Sequence, residues 1–159
     1  MRRIAIVLFV VAVILAVAVV MFGWPPDEST EAAIGTVEEV IASQVVYIQQ
    51  HQFYVVATEE GFIALADDSR HVGDRVLFCR SNGTFSSPAH GERFDPLGQY
   101  VGGPAAGDLG RYSVTVADGR VFVNLATLRL SERSSSTYQP TGPRCEGAED
   151  PAGFYQDGP

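Results

Sequence analysis

The sequence predicts an all-β fold, a small antiparallel β-sandwich or barrel that is preceded by one transmembrane helix. Six short runs rich in β-branched and aromatic residues are separated by turn signals, and no amphipathic pattern is long enough for a helix that could bind a partner. An uncharged N-terminal run supplies the predicted span. The six predicted strands are residues 45–48, 53–56, 62–65, 76–78, 112–116 and 121–125.

The N-terminal run directly follows Met1-Arg2-Arg3 and comprises 21 residues without a charge, residues 4–24. A helix of this length is roughly 31 Å long, which matches the hydrocarbon core of a bilayer. The alternative is a cleaved signal peptide, for which Ala16-Val17-Ala18 offers a cleavage site. Because arginines precede the run and acidic residues follow it, we expect a single-pass signal anchor with a cytoplasmic N-terminus and an extracytoplasmic domain.

The exported part divides into three regions. Residues 25–33 contain two prolines and several acids, as in an extended tether, and residues 34–130 form the β domain. Residues 131–159 are rich in Ser, Pro and Gly, which predicts a flexible tail. Within the domain, Asp118-Gly119 predicts a tight hairpin and Glu59-Glu60-Gly61 another turn. The glycine-rich stretch 67–110 predicts the loops that carry the site.

Composition excludes several classes of protein. The chain has 19 acidic residues, 11 arginines, no lysine and a net charge of −8, which disfavours nucleic-acid binding. Its two cysteines, Cys79 and Cys145, are too few for a disulfide framework or a zinc ribbon. In an oxidising compartment they can form a disulfide, and two free thiols are the alternative. No enzyme motif is present, so we do not expect an enzyme.

Two loop sequences carry the functional information. Ser69-Arg70-His71-Val72-Gly73 is followed by Ser87-Pro88-Ala89-His90-Gly91, with 15 residues between His71 and Ser87. Phe94-Asp95 and Gly103-Pro104-Ala105 come next. Over residues 36–127 this pattern resembles the Rieske [2Fe-2S] domain of membrane-anchored iron-sulfur proteins. The resemblance implies a Rieske-type β fold, with His71 and His90 at the histidine ligand positions and Ser69 and Ser87 at the two cysteine ligand positions.

Several departures from the family pattern predict a degenerate site without a cofactor. A Rieske cluster is held by two thiolates and two imidazoles, and a serine hydroxyl is a poor ligand for sulfide-bridged iron. The resemblance also places Asp74 and Ala89 where many members carry a second cysteine pair. Glu92 and Phe94 stand where high-potential members have a serine and a tyrosine that hydrogen-bond the cluster.

Three interpretations of His71 and His90 remain open. In the first interpretation, they are structural residues that hold two facing loops together, with Ser69 and Ser87 as turn-forming caps. Alternatively, they bind one Zn, Fe or Cu ion together with Asp74 or Glu92. In the third interpretation, serine or a ligand from a partner completes a [2Fe-2S] cluster for electron transfer. We favour the first interpretation. We therefore expect an accessory or interaction module of a membrane complex, for example a respiratory complex.

Overall fold

The computed structural model describes residues 30–142, and residues 1–29 and 143–159 lie outside this description. The described chain contains ten β-strands and one short helix, which confirms the prediction of an all-β domain. The elements in chain order are β1 Glu31–Thr36, α1 Val37–Ser43, β2 Val45–Ile48, β3 Phe53–Thr58, β4 Gly61–Ala66, β5 Leu77–Cys79, β6 Thr84–Ser86, β7 Arg93–Phe94, β8 Tyr100–Gly102, β9 Arg111–Ala117 and β10 Arg120–Arg129.

The strands form two antiparallel sheets. The base sheet has six strands in the order β1-β10-β9-β4-β3-β2, and the small sheet has four strands in the order β5-β6-β7-β8. Three connections are relevant to the site. The first loop, residues 67–76, joins the base sheet to the small sheet. The second loop, residues 87–92, joins β6 to β7. The third loop, residues 103–110, leads back to the base sheet. The small sheet therefore supports all three loops.

Both predicted hairpin turns are present. Asp118 and Gly119 connect β9 to β10 with φ angles of 49° and 71°. These positive values suit the two-residue turn that Asp-Gly favours. Thr58 of β3 is paired with Gly61 of β4, so that two residues turn this second hairpin.

The sequence did not predict the short helix α1. Thr36 caps its N-terminus with a capping box, in which its hydroxyl accepts a hydrogen bond from the Glu39 amide at 3.3 Å. In return, the Thr36 amide donates to Glu39 Oε2 at 2.8 Å. Only Val40 is buried among the seven residues of the helix, so its sequence shows little hydrophobic periodicity.

Apolar side chains fill both faces of the base sheet. On β3, Phe53 and Val55 belong to one buried cluster, and Tyr54 and Val56 belong to another. This alternation follows from the two-residue period of a strand. The second cluster also includes Phe85 of the small sheet, so it joins the two sheets. The base sheet is therefore a rigid platform behind the loops.

Two further predictions concern the start of the domain. β1 begins at Glu31, so the last residues of the predicted tether, 25–33, are part of the base sheet. Within residues 30–142, no helix is long and apolar enough to cross a membrane. The predicted transmembrane segment, residues 4–24, lies outside the described residues.

Candidate functional site

Buried polar contacts fix the base of the first loop. The Asp67 carboxylate accepts a hydrogen bond from the Tyr47 hydroxyl at 2.6 Å and forms a salt bridge with Arg75 at 3.2 Å. Burial raises the pKa of Asp67, against the opposing effects of Tyr47 and Arg75. Burial also raises the pKa of Tyr47, as does its hydrogen bond to Asp67. A β-bridge between Asp68 and Arg75 closes the loop above this pair.

Ser69, at the predicted first cysteine position, is buried with 1% exposure. Its hydroxyl donates a hydrogen bond to Glu92 Oε1 at 3.0 Å and lies 3.5 Å from the His71 amide. Its own amide donates to the Asp74 carbonyl at 2.7 Å. Ser69 therefore shapes the first loop and also connects it to the second loop.

Ser87, at the predicted second cysteine position, has a similar role. It is 2% exposed, and its hydroxyl accepts a hydrogen bond from the His90 amide at 3.3 Å. The same hydroxyl donates to Asp74 Oδ2 at 3.4 Å. The Ser87 carbonyl accepts a hydrogen bond from the Gly91 amide at 3.0 Å, which closes the turn. Each serine thus organises a loop and contacts a carboxylate of the other loop.

The structure brings the two histidines together at the tips of their loops. The ring centroids of His71 and His90 are 5.4 Å apart, the rings are inclined at 76°, and both residues are exposed. His90 Nδ1 contacts the Asp74 carboxylate. This hydrogen bond raises the pKa of His90, as does the negative charge of Asp74. The two histidines therefore form an exposed pair at the tips of the loops.

Glu92 points into the protein. It is completely buried, Oε1 accepts the hydrogen bond from Ser69, and Oε2 has no hydrogen-bond partner in the described structure. Gly103 of the third loop packs against it with φ 95°, and a Cβ atom there would lie 2.7 Å from the Glu92 Cα. Glycine is therefore required at this contact. The sequence predicted a carboxylate here, but its inward direction depends on the packing of the three loops.

Residues 131–138, which we call the strap, were predicted as the start of the flexible tail, yet they lie against the third loop. Arg133 Nε donates to the Ala105 carbonyl at 2.6 Å, and the Arg133 guanidinium group lies 4.5 Å from the centre of the Tyr100 ring. The Ser134 amide and hydroxyl each donate to Asp108 Oδ1 at 2.9 Å. The sequence missed this role, since serine-rich segments are usually solvated.

The end of the strap reaches the small sheet. The Ser136 hydroxyl donates to Asp95 Oδ2 at 2.6 Å, and the Tyr138 hydroxyl donates to a carbonyl of the β5–β6 turn at 2.7 Å. Cys79, at the end of β5, is disulfide-bonded. Its predicted partner, Cys145, lies outside the described residues.

The donor groups at the loops do not fit a Rieske cluster. Both thiolate positions carry hydroxyl groups that donate hydrogen bonds to the carboxylates of Glu92 and Asp74. Each hydrogen bond stabilises the serine as a protonated hydroxyl, whereas binding to iron would require the alkoxide. The neighbouring carboxylate further disfavours formation of that alkoxide. Within residues 30–142, no group of three or more His, Cys, Asp or Glu side chains is arranged to hold a metal ion.

Comparison with known proteins gives a structural match. No protein-family model and no curated protein sequence matches the chain. Among solved structures, the chain is similar to the cyanobacterial plasma membrane Rieske protein PetC3 from Synechocystis PCC 6803. The match has a TM-score of 0.50 and 26% sequence identity, and it covers 58% of this chain and 97% of that chain.

Two oxygenase structures give lower scores. The terminal oxygenase of carbazole 1,9a-dioxygenase from Nocardioides aromaticivorans IC177 matches at a TM-score of 0.39 and 22% identity, over 68% of this chain and 34% of that chain. The oxygenase in the reduced complex between oxygenase and ferredoxin of carbazole 1,9a-dioxygenase matches at 0.42 and 17% identity, over 61% of this chain and 28% of that chain. The chain therefore spans about a third of these oxygenases or less.

Proposed function

Because the described residues form a Rieske-type domain, we propose that this chain is a cluster-free Rieske-type protein that serves as an interaction module of a membrane complex. It is an accessory subunit, not an enzyme. One observation carries the proposal: the buried Glu92 carboxylate receives the hydrogen bond of Ser69, at the position of the first cluster cysteine. The hydroxyl at the predicted ligand position is thus engaged with a carboxylate.

The two serines support the same proposal by replacing the connection that a cluster would provide. Ser69 links the first loop to Glu92 of the second loop, and Ser87 links the second loop to Asp74 of the first loop. The two loops are therefore connected by side-chain hydrogen bonds.

The exposed tips of the loops supply a surface for the partner. Val72 is 62% exposed and lies beside His71, and Pro88 and Ala89 are exposed beside His90. A mixed apolar and imidazole surface on a rigid platform is suited to binding another protein. We place this surface on the extracytoplasmic side, because the uncharged residues 4–24 follow two arginines.

Electron transfer through a [2Fe-2S] cluster, or through another metal bound by His71 and His90, is the second candidate. The observation that favours it is the separation of 5.4 Å between the two ring centroids. Two imidazoles at this separation can approach a single ion lying between them, since metal–nitrogen bonds are about 2.0–2.1 Å long. The first candidate is preferred because the remaining donors are engaged with carboxylates.

Iron and acid-labile sulfide content distinguish the two candidates. The full chain is purified anaerobically from its own membranes, and its metal content, visible spectrum and electron paramagnetic resonance spectrum are recorded. We expect neither iron nor sulfide. Stoichiometric iron and sulfide would refute the cluster-free proposal. If another metal is present, the double variant His71→Ala, His90→Ala shows whether the histidines hold it.

A rebuilt variant provides the positive control for cluster assembly. Ser69→Cys and Ser87→Cys restore the two thiols, and Glu92→Ser removes the buried carboxylate. If this variant acquires iron and sulfide in the same cells while the natural chain does not, the cell can supply the cluster. The absence of a cluster from the natural chain is then a property of its own residues.

The interaction itself is tested by crosslinking in the native membrane. Val72→Glu places a charge at the tip of the first loop, and Leu97→Glu places the same charge at another exposed apolar site, 42% exposed. We expect a specific crosslinked partner that is lost with Val72→Glu and retained with Leu97→Glu. Equal retention in both variants would contradict the proposed surface.

A further inference from the structure

Two arginines lie directly opposite each other in the base sheet. Arg111 of β9 is paired with Arg129 of β10, beyond a register shift that follows Asn124. Like charges that face each other across two strands destabilise a sheet. Neither guanidinium group forms a salt bridge in the part of the chain that the structure describes, although the whole chain has a net charge of −8. An anion from another molecule, bound between the two arginines, would neutralise this repulsion.

The pair lines an open cleft of about 250 Å³ between β4, β9 and Arg129. Side chains alternate along a strand, so Ser113 shares a face of β9 with Arg111. The Ser113 hydroxyl forms no hydrogen bond among residues 30–142. Arg111 donates one hydrogen bond to the Leu97 carbonyl at 2.8 Å, which fixes its side chain and leaves other N–H groups for a ligand.

We propose that this cleft binds a phosphate group. Guanidinium groups present paired N–H donors that match the oxygens of phosphate. A tetrahedral phosphate has enough acceptors for Arg111, Arg129 and the Ser113 hydroxyl together. The cleft volume of about 250 Å³ is below the roughly 300–1,000 Å³ of pockets for drug-sized ligands. The ligand is therefore phosphate itself or a phosphate ester with a small enclosed substituent.

A soluble phosphate compound and a phospholipid headgroup share this chemistry. β1 begins at Glu31, which is paired with Asn124, and Arg129 lies beyond Asn124 on β10. The chain thus enters the described domain at the end of the base sheet that carries the arginine pair. Attraction of the two arginines to anionic lipid would strengthen binding at a bilayer surface.

Side-chain NMR of the arginines tests the site in the full chain. The protein is placed in nanodiscs of zwitterionic phosphatidylcholine, and inorganic phosphate is added at constant ionic strength. A second sample uses nanodiscs that also contain anionic phosphatidylglycerol. Arg129→Gln and Ser113→Ala remove donors from the cleft, and Arg120→Gln, at the opposite end of β10, is the matched control for charge.

A saturable shift of the Arg111 and Arg129 signals with inorganic phosphate would support a soluble ligand. A shift only with phosphatidylglycerol would support a lipid headgroup. In both cases the Arg111 signal reports binding by the variants. We expect Arg129→Gln to weaken binding about tenfold or more, as for loss of a charged hydrogen bond, and Arg120→Gln to have no such effect. The proposal is overturned if neither ligand shifts the signal, or if Arg120→Gln weakens binding as much as Arg129→Gln.

Discussion

The hydroxyl group of Ser69 has a structural role, at a position where the resemblance to the Rieske family predicts a thiolate. It is the hydrogen-bond donor to Glu92, whose other carboxylate oxygen is buried without a partner in the described structure. Buried polar groups that lose a partner are costly, by about 1–3 kcal/mol. The serine is therefore more than a residue of similar size to cysteine.

We expect Ser69→Ala to destabilise the domain by about 1–3 kcal/mol, because it leaves the buried Glu92 carboxylate without this donor. Ser86→Ala is the matched control, since Ser86 is half-buried nearby and its hydroxyl forms no hydrogen bond in the described structure. The free energy of unfolding in urea measures both. Equal effects of the two substitutions would show that the Ser69–Glu92 contact contributes nothing.

The contact between His90 and Asp74 predicts a pH dependence at the loop tips. Because the hydrogen bond and charge of Asp74 raise the pKa of His90, the protonated imidazole stabilises the folded loops. This contribution is complete below the ordinary histidine pKa and is lost as the pH rises through the raised value. Asp74→Asn should lower the pKa of His90 in an NMR titration. Asp68→Asn, an exposed change in the same loop, should leave it unchanged.

The strap depends on the Asp108 carboxylate. Burial raises the pKa of Asp108, but hydrogen bonds from the amides of Ser134 and Tyr100 and from serine hydroxyls outweigh burial and lower it. A lowered pKa means that the ionised group stabilises the folded state. This contribution is present above the ordinary carboxyl pKa and is lost as the pH falls through the lowered value.

Asp108→Asn should therefore reduce the urea midpoint at neutral pH and flatten its decline in acid. Asp118→Asn is the control, because asparagine tolerates the positive φ of the hairpin turn at Asp118. The urea midpoint is measured across the acid range for both variants. An acid profile for Asp108→Asn that parallels that of the natural chain would contradict this role.

The sequence predicted the longer strands and both hairpin turns, because alternation and the Asp118-Gly119 dipeptide are local signals. It missed the six-residue strand β1, whose first residues were assigned to the tether. It also missed β6, β7 and β8, which have three, two and three residues, too few for a hydrophobic period. Helix α1 was missed as well, although Thr36 and Glu39 form a readable capping box. Short elements are specified by their neighbours more than by their own residues.

The loop motif identified which residues meet at the site, but it could not predict how their side chains are paired. Ser69 and Glu92 are 23 positions apart, and the strap residue Ser136 is 41 positions from Asp95. Such contacts depend on the complete fold. The Arg111–Arg129 pair is equally invisible in the sequence, because it depends on the register shift within β10.

At the scale of the whole described domain, a Rieske-type fold carries two loops whose side chains are hydrogen-bonded to each other. A Rieske fold can lose its cluster only if other interactions stabilise the loops, since metal binding normally contributes to folding. Here the serine–carboxylate pairs, the strap and the disulfide bond of Cys79 supply such interactions. If the domain binds no cluster, as we propose, these interactions hold the loops in place.

Membrane fractionation and protease access test the predicted anchor and the side of the membrane on which the domain lies. If residues 4–24 are an uncleaved anchor, the full chain should remain in the membrane fraction after a high-salt wash, and protease added from the extracytoplasmic side should digest the domain. Deletion of residues 1–29 should abolish membrane retention. Replacing Arg2 and Arg3 with glutamate tests the orientation, since it reverses the charge bias across the segment. A natural chain that is released into the soluble extracytoplasmic fraction, shortened at its N-terminus, would instead establish cleavage near Ala18.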